Sequence, residues 1–142
     1  MKDCLIIGFP TALMYKNVYP LLLDKVLKVG IWTLKWIIVK DKSVVGAYWF
    51  TTLQVNRPKE KKLKLTKTYN PDDYPRFDNA PDIIECKKNV LIPKDYQGKI
   101  GVPISFLKYY PELDYEVLEH RGDLKLNGKQ KFERLIIRRK QL

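Results

Sequence analysis

The side chains most able to do chemistry in this chain are cations. Between Asn56 and Thr68 stand Arg57, Lys59, Lys61, Lys62, Lys64 and Lys67, against one acid, Glu60. Leu63 and Leu65 alternate with lysines there, which predicts a strand showing a row of positive charge to one side. Such a row suits phosphates, whose neutralisation supplies much of non-specific nucleic-acid affinity. It equally suits an edge strand guarded by lysines against aggregation. A second basic group, Arg138, Arg139 and Lys140, closes the chain. Tyr48-Trp49-Phe50 is either core packing or a platform for base stacking, with Trp49 and Phe50 as the candidates. Between Tyr74 and Phe106, Arg76, Asn79 and Lys94 sit among prolines and glycines that hold a chain in fixed turns. Arginine can read guanine with two hydrogen bonds and asparagine can read adenine, so these three are candidate base readers. Asp72, Asp73, Asp78, Asp82 and Glu85 run against that, since they repel a phosphate backbone and suit a basic protein surface. Their spacing lacks the regular ligand positions of a calcium loop, and turns with acids paired to nearby lysines are expected instead.

No arrangement for bond-making emerges. The chain has no G-x-S-x-G elbow, no P-loop and no G-x-G-x-x-G, and no catalytic or cofactor-binding residue is assigned. The single histidine, His120, reads as a surface residue at a strand end, and one histidine with two distant cysteines argues against zinc. Cys4 and Cys86 lack CxxC spacing and are expected as free thiols. A formal charge of +11 over 142 residues favours a polyanionic partner, while 45% hydrophobic content implies one packed domain over residues 1–142 rather than a disordered chain. No apolar run approaches the roughly 20 residues that cross a bilayer. A cytoplasmic protein without a membrane partner is expected.

The elements that must position these residues divide near residue 55. Cys4-Leu5-Ile6-Ile7-Gly8 predicts a strand buried on both faces, and Asn17 to Lys28 an amphipathic helix with Gly30 as its left-handed cap. Together they make half of a βαβ crossover. Period-two patterning from Ile31 to Ile38, a turn at Asp41-Lys42-Ser43 and a strand from Val44 to Val55 predict a hairpin. Tyr74 to Phe106 reads as an ordered but irregular connection with short strands embedded. Pro103 opens a short helix ending before Pro111. Tyr115 to Leu118 and Asp123 to Leu126 alternate as strands, Asn127-Gly128 is a hairpin turn, and Phe132 to Arg139 is the returning strand. The fold class is mixed α/β: a strand–helix unit over 1–55, then a hairpin-rich antiparallel sheet with long irregular connections over 56–142.

The chain also resembles a known family. Leu5-Ile6-Ile7-Gly8, Ala12, Tyr15-Lys16 and Pro20 begin the likeness. Trp49-Phe50-Thr51, Leu53, Arg57, Tyr69-Asn70, Tyr74-Pro75, Asp78-Asn79 and Ile92-Pro93-Lys94-Asp95-Tyr96 continue it. Gly98, Gly101-Val-Pro-Ile-Ser-Phe-Leu107, Asn127-Gly128-Lys129 and Arg138-Arg139 complete it. In that order these residues resemble the C-terminal half of the EcoRI-type adenine-specific DNA methyltransferases. The resemblance implies a methyltransferase-like scaffold over 1–55 and a DNA-recognition region after it. It also implies that the S-adenosylmethionine site and the Asn-Pro-Pro-Phe tetrad that holds the adenine lie upstream of the matching part. This chain contains no Asn-Pro-Pro-Phe. It also carries Phe9 and Thr11 where the family tends to have asparagines, Gln54 for an acid, and Pro58 for a histidine.

The expectation is therefore a methyltransferase-derived protein, catalytically incomplete alone, that binds DNA or a defence-system partner and comes from a phage or mobile element. S-adenosylmethionine is expected only if a missing half is supplied. One alternative is a phage-encoded inhibitor acting on a restriction enzyme or RNA-guided nuclease by protein binding. Another is the C-terminal half of a split enzyme, with Leu5 to Ile7 pairing a strand from the partner.

Overall fold

The computed structural model describes residues 2–30, 37–44, 46–55, 63–110 and 113–141. The chain forms two compact units, Met1–Lys62 with Leu107–Pro111, and Leu63–Phe106 with Glu112–Leu142.

In the first unit, β1 (Leu5–Gly8) is followed by a 3-10 turn at Pro10–Met14 and helix α1 (Tyr19–Leu23). The helix is five residues long, not the dozen expected. Val18 rather than Asn17 stands at its N-cap, and Lys25 takes positive φ (59°) soon after its end, ahead of Gly30. A helix this short gains little from propensity and depends on packing, here through the buried Leu22. Strand β2 (Lys28–Val29) follows, then β3 (Ile37–Val39) and β4 (Lys42–Val44). These last two make a hairpin whose turn residues, Lys40 and Asp41, both take positive φ. The hairpin therefore turns one residue earlier than the composition suggests, and residues 31–36 of the expected first strand lie outside the described residues. β5 (Tyr48–Thr51) belongs to another sheet, in which it lies between β1 and β2 and pairs antiparallel with both. The parallel crossover expected from the strand–helix order is thus replaced by antiparallel pairing.

That arrangement also corrects the expectation for β1. It is an edge strand, with Leu5, Ile6 and Ile7 exposed by 59%, 52% and 44%. One edge bonds to β5, extended by Thr51 Oγ1 donating to the Cys4 carbonyl (2.7 Å). Leu13, Leu22, Val29 and Phe50 form the buried side of this unit. Lys108, itself buried, places its ammonium 3.6 Å from the Tyr48 ring centroid, a cation–π contact that offsets part of its desolvation.

The second unit is built on a five-stranded sheet. Its strands are β6 (Arg76–Phe77), β7 (Ala80–Glu85), β8 (Lys99–Pro103), β9 (Tyr115–Arg121) and β12 (Arg134–Arg139), in the spatial order β6-β7-β8-β12-β9. Tyr74 to Phe106 is therefore the centre of a sheet more than an irregular connection. The pattern misled because the end of β7 (Ile83, Ile84 and Glu85) and the middle of β8 (Ile100, Gly101 and Val102) are continuous buried runs that show no alternation. Their pairing is parallel, the one departure from an antiparallel sheet. Pro103 ends β8, and the 3-10 helix Ile104–Lys108 follows it. Gly101 is required where it stands, because a Cβ there would lie 2.7 Å from the buried Phe77 ring. On that side Phe77, Ala80, Ile83, Leu124, Leu126 and Ile136 form one cluster.

Between β9 and β12 the small ribbon β10 (Lys125–Leu126) and β11 (Lys129–Gln130) turns at Asn127-Gly128, both with positive φ, as the dipeptide predicts. No helix among the described residues is long and apolar enough to cross a membrane.

Candidate nucleic-acid interface

The cations divide into those the fold gathers and those it employs internally. Arg57, Lys59, Lys61 and Lys62 lie outside the described residues. Lys64 is exposed on residues 63–70, which carry no regular secondary structure, so the described part of the lysine row is not the expected strand. That segment is nevertheless held in place. The Lys94 N–H donates to the Lys67 carbonyl at 2.9 Å, and the Arg139 guanidinium donates to the Lys94 carbonyl. The Tyr69 N–H donates to Asp95 Oδ1 at 2.7 Å. Residues far apart in sequence, Lys67, Lys94 and Arg139, are thereby brought to one side of this unit. A shallow cleft of about 180 Å³ lies there, lined in part by Leu65, Lys94, Tyr115 and Arg139.

Beside these cations lies an aromatic group that sequence reasoning missed. Tyr69 stands between Tyr96 and Tyr74, with ring centroids 4.5 Å and 5.8 Å away. Tyr69 and Tyr96 are half-buried. The signal was present: Lys67-Thr-Tyr69 and Lys94-Asp-Tyr96 are the same lysine-x-tyrosine pattern, and the fold lays them side by side. Lysine for phosphate and tyrosine for a sugar or base is a combination found in nucleic-acid-binding grooves.

Other predicted residues are committed to the fold. Phe50 is 3% exposed and belongs to the core, so it offers no stacking surface; Trp49 is half-buried on β5. Asn79 uses both ends of its amide, with Nδ2 donating to the Asp123 carbonyl (2.9 Å) and Oδ1 accepting from the Lys125 N–H (3.0 Å). Both ends of its amide are thus engaged in holding β10. Arg138 directs Nε and Nη2 to Glu116 Oε1, and Arg76, though exposed, donates to the Pro81 carbonyl. Asp78 does not pair with a lysine; its carboxylate accepts the N–H groups of Asn127 and Gly128. Asp82 does pair as expected, with Lys99 at 2.8 Å, and that hydrogen bond holds its carboxyl below the usual range.

A second cleft, about 300 Å³, is lined by Lys67, Thr68, Asp73, Tyr74, Glu85, Lys87 and Leu91. The Glu85 side chain is 1% exposed and receives Arg134 in a fork, with Nη2 at 2.9 Å and Nε at 3.2 Å. The neighbouring Cys86 thiol is buried, which pushes its pKa up to about 12 and makes it a poor nucleophile. Both cysteines are free. His120 pairs through Nε2 with Glu133 on the sheet's outer edge. No group of three or more potential metal ligands occurs among the described residues. Among the described residues the arrangement contains cationic and aromatic surfaces and no hydrogen-bonded nucleophile–base pair.

The family model described as adenine-specific methyltransferase EcoRI matches residues 35–140. The Type II methyltransferase M.EcoRI of Escherichia coli is 41% identical over 102 residues, covering 66% of this chain and 30% of its own length. M.MpnI of Mycoplasma pneumoniae is 30% identical over 122 residues, 70% of this chain and 38% of its own. M.MgeORF184P of Mycoplasma genitalium is 28% identical over 125 residues, again 38% of its length. No solved structure matches significantly. The chain thus spans 30–38% of the length of these relatives. The match takes in both lysine-x-tyrosine stretches, the buried Glu85–Arg134 pair and the Asn127-Gly128 ribbon, so the whole of the sheet-bearing unit falls inside it up to Lys140. This chain belongs to the EcoRI-type adenine-specific methyltransferase family.

Proposed function

We propose that this chain is the DNA-holding part of an adenine-specific DNA methyltransferase, and that it does not transfer methyl groups by itself. The observation that carries this is the outer edge of β1. Three consecutive apolar residues, Leu5, Ile6 and Ile7, lie open on a strand whose backbone is paired, among the described residues, on one side only. An uncovered apolar edge strand is a template for pairing with another strand. The relatives are about three times longer than the matched part, and material of that size is available to cover it. Lys64, Lys67, Lys94 and Arg139 with the Tyr69–Tyr96 pair supply the surface for DNA.

A purified chain, given duplex DNA and S-adenosylmethionine, should bind the duplex weakly and transfer no methyl group. Log affinity should fall linearly with log salt, by about 0.9 for each phosphate contacted. Adding the part of M.EcoRI outside the matched stretch should restore transfer, and Ile6→Lys should abolish that rescue. Methyl transfer by the chain alone, or salt-independent affinity, overturns the proposal. The phage or mobile-element origin and the action on a defence protein stay as alternatives: a chain that ignores DNA but captures a nuclease through Asp72 and Asp73 would favour them.

A further inference from the structure

The ribbon β10–β11 has no part in the sheet's own ladder, yet it is held more tightly than its two-residue strands alone would allow. The Asp78 carboxylate accepts both turn N–H groups, at 3.2 Å from Asn127 and 2.8 Å from Gly128. Asn79 clamps Asp123 and Lys125, and Arg121 grips the Asp123 carboxylate with Nε at 2.9 Å and Nη2 at 2.7 Å. Gln130 Nε2 donates to the Gly122 carbonyl, and the Lys131 N–H donates to the Leu124 carbonyl. Leu124 and Leu126 anchor one face in the core. A two-stranded hairpin is marginal alone, so these bonds fix its position and register.

What this rigid ribbon displays is cationic and apolar. Lys125 and Lys129 are exposed and Lys131 half-buried, and none is ion-paired among the described residues. The nearby acids are occupied: Asp78 by the turn, Asp123 by Arg121 and Glu133 by His120. Phe132 directly follows and is 66% exposed, the most open large hydrophobic residue among those described. Phenylalanine left in water forgoes the stabilisation that burying its ring would give. Its exposure beside three unpaired lysines suits a surface that is both anionic and apolar in patches, as duplex DNA is, with phosphates flanking sugars and base edges. Two-stranded ribbons enter DNA grooves, and apolar side chains beside cations are used there as wedges.

We infer that the β10–β11 ribbon is a second DNA-contacting element, with Lys125, Lys129 and Lys131 on phosphates and Phe132 seated against the groove. This rests on the DNA-holding function proposed above and adds a contact outside the lysine–tyrosine surface. The test uses the full chain and fluorescence anisotropy on a labelled duplex across a salt series. Lys125→Gln with Lys129→Gln should lower the log–log slope by about 0.9 per lysine. Phe132→Ala removes no charge, so it should lower affinity on the order of tenfold with the slope unchanged. A p-benzoylphenylalanine placed at position 132 should crosslink to the duplex under light. These residues are surface-placed, and unchanged urea midpoints will show that the variants fold. If the wild-type chain shows no salt-dependent binding, the DNA-holding function and the ribbon contact fall together. If it binds but the ribbon variants match it, only the ribbon contact is refuted. Crosslinked chain dimers without a DNA adduct would mean Phe132 packs against protein, which also refutes it.

Discussion

Arg134→Met should be among the most damaging single changes in the sheet-bearing unit. Glu85 ends β7 with its side chain 1% exposed, and Arg134 opens β12 with 13% exposed; the fork between them joins strands 49 residues apart in sequence. Removing the arginine leaves a carboxylate in a place where water barely reaches. Breaking a buried pair on one side costs about 3–5 kcal/mol, whereas replacing both partners with apolar groups is often neutral or better. A native domain is held by about 5–15 kcal/mol in total, so the single change removes a large part of it. With a urea dependence of about 2 kcal/mol per molar, the midpoint should fall by about 2 M. The probe must report on the right unit. Trp49 belongs to the other one and Trp32 and Trp36 lie outside the described residues, so far-ultraviolet circular dichroism and the reactivity of Cys86 should be followed instead. The double variant Glu85→Leu, Arg134→Met should recover most of the loss, and the difference measures the coupling. A single-variant cost below about 1 kcal/mol, or a double variant as damaged as the single, would refute the view that Arg134 keeps a buried carboxylate tolerable.

Gly101→Ala should cost about 1–3 kcal/mol, because the new methyl group meets the Phe77 ring at 2.7 Å in a core without slack. Adding Phe77→Leu should return part of that in the same urea assay, and no recovery would show that backbone strain, not the ring, is responsible. A thiol reagent at pH 8 should modify Cys4 in the native chain and reach Cys86 only on unfolding, because burial holds that thiol protonated up to about 12. Its folded pKa lies above the unfolded value near 8.5, so its contribution to stability is complete below that pH and is lost as pH rises towards 12. Equal labelling rates for both thiols would contradict the burial.

The features legible in sequence were those with a local cause. Asn127-Gly128 announced its turn because both residues must take positive φ, and few residue pairs accept that. The strand at Tyr115 showed through alternation, and the one ending at Arg139 followed from the hairpin turn that precedes it. β7 and β8 hid because Ile83–Glu85 and the middle of β8 are continuous buried runs with no period to read. The helix was overestimated because Val18, Leu22 and Val26 fit a helical spacing, yet Lys25 turns left-handed before a third turn can form. For the site, residue type proved a weaker guide than partners. Asn79 and Arg138 have the chemistry to meet DNA, but the hydrogen bonds available within the fold claim them first. Tyr69 and Tyr96 were passed over because the pattern that joins them spans 27 positions and becomes a pair only through the Lys94–Lys67 hydrogen bond.

The five acids between Asp72 and Glu85 first argued against DNA, and their partners weaken that objection. Asp82 meets Lys99, Glu85 meets Arg134, and Asp78 is taken up by two backbone N–H groups. A carboxylate already holding its donors presents less field to an approaching phosphate than a free one, and it screens only the cation beside it. Among the described residues, only Asp72 and Asp73 on this stretch are exposed with neither an ion pair nor a hydrogen bond to the side chain. The acids thus mostly fix the framework, while Lys64, Lys67, Lys94, Lys125 and Lys129 stay outside its ion pairs. A chain of +11 in which Asp78, Asp82, Glu85, Asp95, Glu116, Asp123 and Glu133 hold partners within the fold leaves excess positive charge on its surface. That asymmetry is the physical ground for preferring a nucleic acid to a basic protein as the partner of this unit.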